Sequence, residues 1–565
     1  MTAATATTTA AATAKPPITM FGPDFPFAYD DWVRHPAGLG RVPAERHGHE
    51  VAIIGAGISG LLTAFELMKL GLKPVVYEPG RLGGRLRSLP FEGAEGVIAE
   101  LGAMRFPVSS TTFYRYLGLA GLETKPFPNP LSPATPSTVI DLEGETVYVE
   151  KPEDLPPIFR EVEQAWNEAL EQGAQFAAMQ QAIRNRDVAG VKAIWHALVP
   201  VLDERTFYGF VAKSDAFARR SFRHREIFGQ VGFGTGGWDT DFPNSMLEIL
   251  RVVYTDQDSN QRLVVGGVEQ LPRRLWKMSP DNMVHWPSGT TLDALHGGGP
   301  RPGVARIARR DEDGRFLVTD RWGDTRSYDA VVATCQTWLL STNLETEERL
   351  FPQKTWMAMD RTHYMQSSKT FVMVDRPFWN ARDPRTGRYV MSQTLTDRLT
   401  RGTYLFDNGP DKPAVICLSY TWMGDALKVL PFGPEKRVKL MLAALQKVYP
   451  NLDIARHIIG DPITVSWESD PDSLGAFKGN LPGHYRYQRR MFCHFKEQDA
   501  LPPHQRGIFL AGDDISWTAA WVEGAVQSAL NAVWGVTRHL GGESPKDNPG
   551  PGDKYDDIQP LALPD

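Results

Sequence analysis

Apolar residues near the amino-terminal end fall into two short runs separated by a stretch with helical spacing. Val51–Ile54 is an uninterrupted apolar run, which predicts a buried strand. From Ile58 to Leu70 the apolar positions have the spacing of a helix, and Gly71 ends it. Lys73–Tyr77 predicts a second buried strand, so the pattern is strand, helix, strand.

Three glycines occupy the turn between the first strand and the helix. Gly55 permits a tight turn, Gly57 lets the backbone approach a pyrophosphate, and Gly60 lets the helix pack closely on the strand. Glu78 ends the second strand, where a ribose hydroxyl needs an acceptor. Glycine-rich turns also occur as plain strand–helix corners, so the glycines alone are weak evidence. Together with the strands and the acidic residue at matching offsets, they predict a dinucleotide site.

Helical and strand-like segments alternate along the rest of the chain. Helical spacing begins near Leu155 and continues with breaks to about Gln230, which predicts an inserted helical region. A final buried helix is predicted from about Val522 to Leu540. Strand-like runs are found at Leu263–Val265, Phe316–Val318, Ala330–Ala333, Thr370–Val374, Val415–Tyr420 and Gly507–Gly512.

The segments predict an α/β protein in which both ends and the middle of the chain build one domain. A Rossmann-type, glutathione-reductase-like dinucleotide domain takes residues 48–110, 260–345 and 495–542. An α+β substrate domain takes residues 111–150, 231–259 and 346–494, and the helical region takes 151–230. The remaining parts are a disordered tail at 1–16, an extended arm packed on the body at 17–47, and a loose carboxyl-terminal tail at 543–565.

The amino-acid composition mainly excludes certain classes of protein and of binding partner. Hydrophobic residues make up 42% and charged residues 23% of 565 positions, as in an ordinary soluble globular protein. The net charge of −6 and the lack of a basic block exclude nucleic acid as an expected partner. Three widely separated cysteines without a CxxC pair indicate a reducing, cytoplasmic environment. No apolar run reaches membrane length, and the Ala/Thr-rich opening lacks the features of a signal peptide.

Later motifs favour a flavin over a nicotinamide cofactor. Gly83-Gly84-Arg85 makes a second glycine turn with an arginine soon after the acidic residue, which suits an extended FAD better than NAD. Taken alone, this triplet is equally compatible with a surface turn. Another arginine follows a glycine turn within Glu100–Pro107, and Leu510–Asp513 precedes the segment Trp521–Leu530.

The motifs resemble the flavin-containing amine oxidoreductase superfamily, and within it the branch of L-amino-acid oxidases and 2-monooxygenases. The resemblance runs from about residue 17 to 553. It includes Ile18–Phe27, Gly234–Phe242, Ser367–Lys369, Leu418–Trp422 and Trp467–Phe477. It implies that the dinucleotide domain binds FAD, that the substrate is an L-amino acid and that molecular oxygen is the oxidant.

The residues expected to contact FAD lie in the two glycine turns, at or just after predicted strands, and at the start of the last helix. They are Gly55, Ala56, Gly57, Ser59, Gly60, Glu78, Gly84, Arg85, Met104, Arg105, Val304, Gly512, Asp513, Trp521 and Val522. No cluster with metal-ligand spacing stands out, so no metal is expected.

Two basic residues carry the expected chemistry. Arg105 is the candidate anchor for the substrate carboxylate, because a guanidinium grips a carboxylate with two parallel hydrogen bonds. The resemblance gives it the same role, and the alternative is a structural salt bridge. The resemblance also implies that Lys369 helps the reduced flavin react with oxygen, where positive charge stabilises developing negative charge. The alternative for Lys369 is an exposed lysine at a strand edge.

Aromatic residues are expected to wall the substrate and to exclude water from the reacting atoms. The candidates are Trp422, Trp467, Phe477 and Trp517, with Trp467 also counted among the catalytic residues.

A basic substrate brings a second ammonium, which is costly to bury without a partner. Asp239 and Asp241 are the natural acceptors, and Asp241 is preferred from its place in the resembling segment. The alternative for either aspartate is a loop or helix cap.

The resemblance implies that L-lysine or another basic L-amino acid is oxidised by hydride transfer from Cα to FAD. Release of the imino acid would give a 2-oxo acid, ammonia and peroxide, whereas its retention would give an amide, CO2 and water. The resemblance favours the second outcome, that of a monooxygenase. A non-catalytic flavin-binding or NAD-dependent protein of the same fold is a further alternative. Relatives suggest a homodimer or larger homo-oligomer.

Overall fold

The strand–helix–strand unit belongs to a five-stranded parallel sheet. The structure, a computed structural model, describes residues 17–231 and 243–564. The neighbouring strands Glu50–Ile54 and Lys73–Glu78 are joined by the helix Ile58–Lys69. From one edge to the other, the strands are Arg301–Pro302, Lys73–Glu78, Glu50–Ile54, Ala330–Ala333 and Ile508–Leu510.

The last long helix, Val522–His539, packs against the helix Ile58–Lys69 and contacts this sheet. All of its residues from Glu523 to Thr537 are buried, which explains why apolar and small residues occupy every face of this helix. Close packing also explains Gly60, because a Cβ atom there would lie 2.0 Å from the Gly55 carbonyl oxygen. A helix from the amino-terminal part of the chain and one from the carboxyl-terminal part therefore pack in the same layer.

A mixed seven-stranded sheet forms a second layer. Its strands, in spatial order, are Ile458–Ser466, Ser367–Val374, Ala414–Trp422, Gly402–Phe406, Gln393–Thr396, Thr138–Leu142 and Glu145–Val149. Only the pair Gln393–Thr396 and Thr138–Leu142 is parallel among these.

The strand Ser367–Val374 is buried along its whole length, so its two faces enter different cores. Phe371 and Met373 pack in the cluster that contains Trp467, whereas Val372 and Val374 pack in another. Since side chains alternate along a strand, Lys369 lies on the same face as Phe371 and Met373. Strand parity thus directs this lysine toward the cavity described below.

Six consecutive helices form the inserted helical segment. They are Pro157–Ala174, Phe176–Arg184, Val188–Leu202, Phe207–Lys213, Asp215–Ala218 and Phe222–Val231. The side chains of Asp187, Thr206 and Ser214 cap three of them by accepting backbone N–H groups, as short polar side chains do at helix starts. The boundaries of the three predicted domains stay predictions.

The carboxyl-terminal segment corrects one expectation, because it is packed rather than loose. Tyr555 is buried with its ring 6.2 Å from that of Phe25, and the Trp534 indole donates to Asp553 at 3.1 Å. The Asn548 amide donates to the Trp32 carbonyl at 3.1 Å. The Pro- and Asp-rich composition suggested disorder, but a few anchoring side chains are enough to hold the segment on the arm that includes the helix Tyr29–Arg34.

Smaller elements complete the described chain. The remaining strands are Thr325–Tyr328, Phe316–Asp320, Val304–Arg309 and Glu345–Thr346 in one sheet, and Ser88–Pro90, Ile98–Glu100, Phe106–Pro107, Thr124–Pro126, Gln261–Val264, Tyr364–Met365 and Phe477–Lys478 in short ladders. The remaining helices are Thr111–Leu119, Met246–Tyr254, Gln270–Lys277, Leu292–His296, Leu339–Thr342, Gln353–Asp360, Met423–Leu427, Pro434–Val448, Tyr485–Cys493 and Tyr555–Ile558. Within residues 17–231 and 243–564, none of the helices has the length and apolar character needed to cross a bilayer.

Candidate active site

A cavity of about 700 Å³ lies where the carboxyl ends of the parallel strands meet the large mixed sheet. Ile54, Glu78 and Gly512 line it from the first sheet, and Lys369 and Trp422 line it from the second. Ligands of open α/β sheets bind outside the carboxyl ends of the strands, and this volume is typical of a ligand cavity.

The predicted glycine turn leaves room for a ligand. Gly57 lines the cavity, and a Cβ atom at this position would meet no atom within 4 Å. Gly57 also begins the helix Ile58–Lys69 without any side-chain cap, so amide groups of the first turn are available to an anion. Gly84, in the second glycine turn, faces Gly57: its Cβ would lie 3.4 Å from the Gly57 Cα.

Glu78 is held at the end of its strand by two backbone amides. Its carboxylate accepts from Ala56 N at 2.8 Å and from Gly80 N at 2.9 Å. Burial raises the pKa of Glu78, while these hydrogen bonds act in the opposite direction. Ala56 and Gly60 do not line the cavity, so direct contact of these two residues with a cofactor is not supported. Both residues influence the shape of the cavity. The Ala56 amide holds the Glu78 carboxylate, and Gly60 allows the helix to pack closely on the turn.

The carboxyl-terminal part of the chain closes the same end of the cavity. The Arg85 guanidinium donates to Asp513 at 2.5 Å and to the Ala476 carbonyl at 2.9 Å. Trp521 and Val522 line the cavity at the start of the helix Val522–His539, which also lacks a side-chain cap. Ser59, Met104, Val304 and Gly512 lie in the lining as well.

Arg105 lies in an aromatic cage at the other end. Its guanidinium carbon is 5.7, 5.9 and 5.6 Å from the ring centres of Phe127, Tyr404 and Tyr420. Its guanidinium donates to the Asn129 side-chain oxygen at 3.3 Å. Within the described ranges, no carboxylate forms an ion pair with Arg105. The geometry therefore presents a partly buried cation to the cavity without a fixed anion.

Lys369 is 2% exposed and projects from the strand Ser367–Val374 beneath this cage. Its ammonium donates to the carbonyls of Glu100 and Gly102, at 3.1 and 2.5 Å, and lies 4.8 Å from the centre of the Tyr420 ring. Burial lowers the pKa of Lys369 to about 8, and the nearby Arg105 charge acts in the same direction. An exposed strand-edge position is thus excluded.

Three of the four predicted aromatic walls line the cavity: Trp422, Trp467 and Phe477. The rings of Trp422 and Phe477 meet edge to face with their centres 5.5 Å apart. The Trp467 indole donates to the Leu101 carbonyl at 3.0 Å, which fixes the plane of its ring.

Trp517 is not a wall residue, contrary to the sequence prediction. It is absent from the cavity lining, and its ring packs on Tyr485, Phe492 and the Arg251 guanidinium in the core. Asp239 and Asp241 lie outside the described residues, so the structure says nothing about either.

Sequence reasoning missed the cage rings Phe127, Tyr404 and Tyr420. Tyr420 had a usable signal, because it lies two residues before Trp422 on one strand and therefore on the same face. Phe127 and Tyr404 lie on other segments and had none. Glu248 and Lys478, which also line the cavity, were missed as well.

The residues fit FAD. Open space at Gly57, two uncapped helix starts and a strand-end carboxylate suit a long dinucleotide that carries a pyrophosphate. An apolar, aromatic-walled compartment continues from this region toward Arg105.

The model for flavin containing amine oxidoreductase matches residues 58–537 of this chain. Tryptophan 2-monooxygenase from Pseudomonas savastanoi is 32% identical over 553 residues, covering 91% of this chain and 93% of that protein. L-amino-acid oxidase from Mus musculus is 24% identical, covering 87% of this chain and 71% of that protein. The chain belongs to the flavin-containing amine oxidoreductase family. It is an FAD-dependent oxidoreductase.

Solved structures agree on the fold. A redesigned putrescine oxidase superposes with a TM-score of 0.64 at 18% identity, covering 87% of this chain and 99% of that one. Cyclohexylamine oxidase from Brevibacterium oxydans superposes with a TM-score of 0.63 at 18% identity, covering 87% of this chain and all of that one (100%). The predicted α/β fold class and the FAD cofactor are confirmed.

Substitution of Gly57 by valine should yield a folded protein that binds little FAD. The backbone at Gly57 has φ −69° and ψ 178°, which valine tolerates, and the new side chain would occupy open cavity space. We expect the purified variant to retain less than about a tenth of the wild-type flavin per chain, as measured by visible absorbance, with unchanged far-UV circular dichroism. Gly118→Ala, on an exposed helix face with open space around it, is the matched control. Full flavin content in Gly57→Val would contradict the placement of the cofactor.

Proposed function

We propose that the chain is an L-amino-acid 2-monooxygenase that converts L-lysine and O2 into 5-aminopentanamide, CO2 and water. The observation that carries the proposal is the caged Arg105, a cation in the cavity without a carboxylate partner in the described chain. The match to tryptophan 2-monooxygenase along nearly the whole chain supports the reaction type. The choice of lysine rests on the sequence resemblance. Asp241, outside the described residues, stays the predicted acceptor for the distal ammonium.

Anchoring of the carboxylate follows from the chemistry of Arg105. A guanidinium stays charged at any physiological pH and offers parallel donors that match a carboxylate. The rings of Phe127, Tyr404 and Tyr420 fix its plane and shield it from water, which strengthens its attraction for an anion. A bound amino acid is thereby oriented with its Cα–H toward the flavin compartment.

Bound FAD supplies the redox chemistry by accepting a hydride from Cα and passing electrons to O2. The residues of the chain provide the surroundings. Trp422, Trp467 and Phe477 exclude water, which would otherwise hydrolyse an imino acid product. Lys369 holds a proton or releases it at Nζ, and in its charged form it stabilises negative charge that develops on oxygen.

Product retention separates the proposed reaction from its main alternative, an L-amino-acid oxidase for basic amino acids. If the imino acid leaves before oxygen reacts, the products are a 2-oxo acid, ammonia and hydrogen peroxide. The match to the mouse L-amino-acid oxidase supports this alternative, although at lower identity than the monooxygenase match.

Product analysis tests the proposal directly. Purified holoenzyme supplied with L-lysine in air should release 5-aminopentanamide and CO2 in equal amounts, and the flavin should bleach when L-lysine is added without oxygen. Mass spectrometry, CO2 trapping and a peroxide assay measure the outcome. Formation of peroxide and the 2-oxo acid in place of the amide would establish the oxidase alternative. An absence of bleaching across a panel of L-amino acids would contradict the proposal altogether.

The reaction with oxygen should depend on the protonation of Lys369. With a pKa of about 8, Lys369 is charged below that pH and neutral above it. The rate constant for reoxidation of substrate-reduced enzyme by O2 should therefore fall as the pH rises through about 8. Lys369→Met should react about 100-fold more slowly and lack this pH dependence, because it has no charge to lose.

Stopped-flow mixing of reduced enzyme with oxygenated buffer between about pH 6.5 and 9.5 measures both quantities. A Lys369→Met enzyme with the wild-type rate, or with the same inflection near pH 8, would show that another group is responsible.

A further inference from the structure

The helix Met246–Tyr254 contributes an acidic side chain to the cavity wall. Glu248, in the first turn of this helix, lines the cavity and is 8% exposed. Its Oε2 atom accepts from the Asn480 side chain at 2.7 Å and from Arg251 at 3.2 Å. Its Oε1 atom has no hydrogen-bond partner within residues 17–231 and 243–564. One carboxylate oxygen is therefore fixed and the other is available.

A second acceptor without a partner lies on the same part of the wall. Asn244 lines the cavity, is 1% exposed, and has a buried Oδ1 atom with no hydrogen bond in the described chain. A methyl group on Gly479 would lie 2.1 Å from the Asn244 Nδ2 atom, so this glycine leaves the space that the amide occupies. Orphaned acceptors are costly in a buried place, which points to a donor that arrives with the ligand.

The position of Glu248 is set by a buried ionic network that reaches the amino-terminal arm. Asp24, 1% exposed, accepts from Arg251 Nε at 2.6 Å and Nη2 at 3.0 Å. The same guanidinium uses Nη1 for Glu248 and lies over the rings of Trp195 and Trp517. A carboxylate held on one side by such a rigid partner keeps its second oxygen directed at a fixed place.

The wall holds charged side chains of both signs before any ligand enters. Asp24 and Glu248 are negative, whereas Arg251 and the buried Lys478, which also lines the cavity, are positive. Lys478 donates to the Asp514 carbonyl at 2.8 Å, and burial lowers its pKa to about 8. The lowered pKa makes it easier for Lys478 to lose its proton when a second cation lies nearby.

An apolar path connects this wall with Arg105. The Tyr420 ring lies over Arg105, Trp422 meets Tyr420 at 5.4 Å, and Phe477 meets Trp422 at 5.5 Å. Beyond Phe477 the chain continues to Gly479, which abuts the Asn244 amide, and to Asn480, which donates to Glu248. A ligand that spans the path needs an anionic end, an apolar middle and a donor or cationic end, which are the three parts of a basic amino acid.

We propose that Glu248 and Asn244 accept the side-chain ammonium of a basic amino-acid substrate, and that Glu248 is a specificity-determining residue of this enzyme. The inference rests on the proposed function, since it assumes that the Arg105 end holds the amino-acid carboxylate. It assigns the described wall a role beside that predicted for Asp241.

L-Lysine and L-norleucine provide the test, because norleucine has the same carbon chain without the distal ammonium. In Glu248→Gln holoenzyme, kcat/KM for lysine should fall about 30-fold or more, mainly through KM, while the value for norleucine changes less than about threefold. Asn244→Ser should act in the same direction, with a loss of about fivefold for lysine. Glu163→Gln, an equal change of charge on an exposed helix position, should leave both values unchanged.

Flavin content and thermal melting of each variant establish that it is folded. An unchanged lysine-to-norleucine ratio in Glu248→Gln, or an equal loss with both substrates, would overturn the inference. If Glu248→Gln does not retain FAD, the ratio in Asn244→Ser decides by the same criterion. Failure of the proposed function looks different: wild-type enzyme would then release peroxide and the 2-oxo acid in place of the amide, or its flavin would not bleach with any L-amino acid.

Discussion

The site depends on a guanidinium that the described chain does not neutralise. Arg105 donates to Asn129 and has three aromatic neighbours, and no carboxylate pairs with it within the described ranges. Cation–π contacts contribute about 0.5–2 kcal/mol each, whereas removal of an ion from water costs several kcal/mol. The described surroundings therefore compensate the Arg105 charge only in part, and we expect an anion to pair with it. In the proposed function this anion is the substrate carboxylate, which distinguishes an amino acid from a simple amine.

The fold brings this cation to the cofactor by joining distant parts of the chain. Arg85, from the second glycine turn, pairs with Asp513 near the carboxyl end and also holds the Ala476 carbonyl. The segment from Trp467 to Phe477 thus spans the cavity, with one aromatic wall at each end. The Arg85 contacts therefore join residues that line the cofactor part of the cavity to the segment that carries two aromatic walls.

Local sequence patterns predict the strand–helix–strand unit at the cofactor end of the cavity well. The strand–helix–strand unit, its glycines and Glu78 depend on contacts close in sequence, and the structure has the helix within one residue of its expected end. Lys369 was found through its motif, and strand parity explains its direction.

The substrate half depends on contacts between distant segments, which local patterns do not encode. Phe127, Tyr404 and Tyr420 meet around Arg105 only because the strands of the large sheet are neighbours. Trp517 shows the reverse error, since its motif lies beside the cavity but its ring turns into the core. In the carboxyl-terminal segment, composition suggested disorder, but Tyr555 and Asn548 find partners far away in sequence.

The role of Arg105 is tested most directly by binding of two lysine analogues to wild-type and Arg105→Met enzymes. 6-Aminohexanoate retains the carboxylate of lysine but lacks the α-amine, whereas pentane-1,5-diamine lacks the carboxylate. Competitive inhibition constants should rise about 100-fold for 6-aminohexanoate in Arg105→Met and change less than about threefold for the diamine. Equal shifts for both analogues, or none for 6-aminohexanoate, would contradict the assignment of Arg105 as the carboxylate anchor.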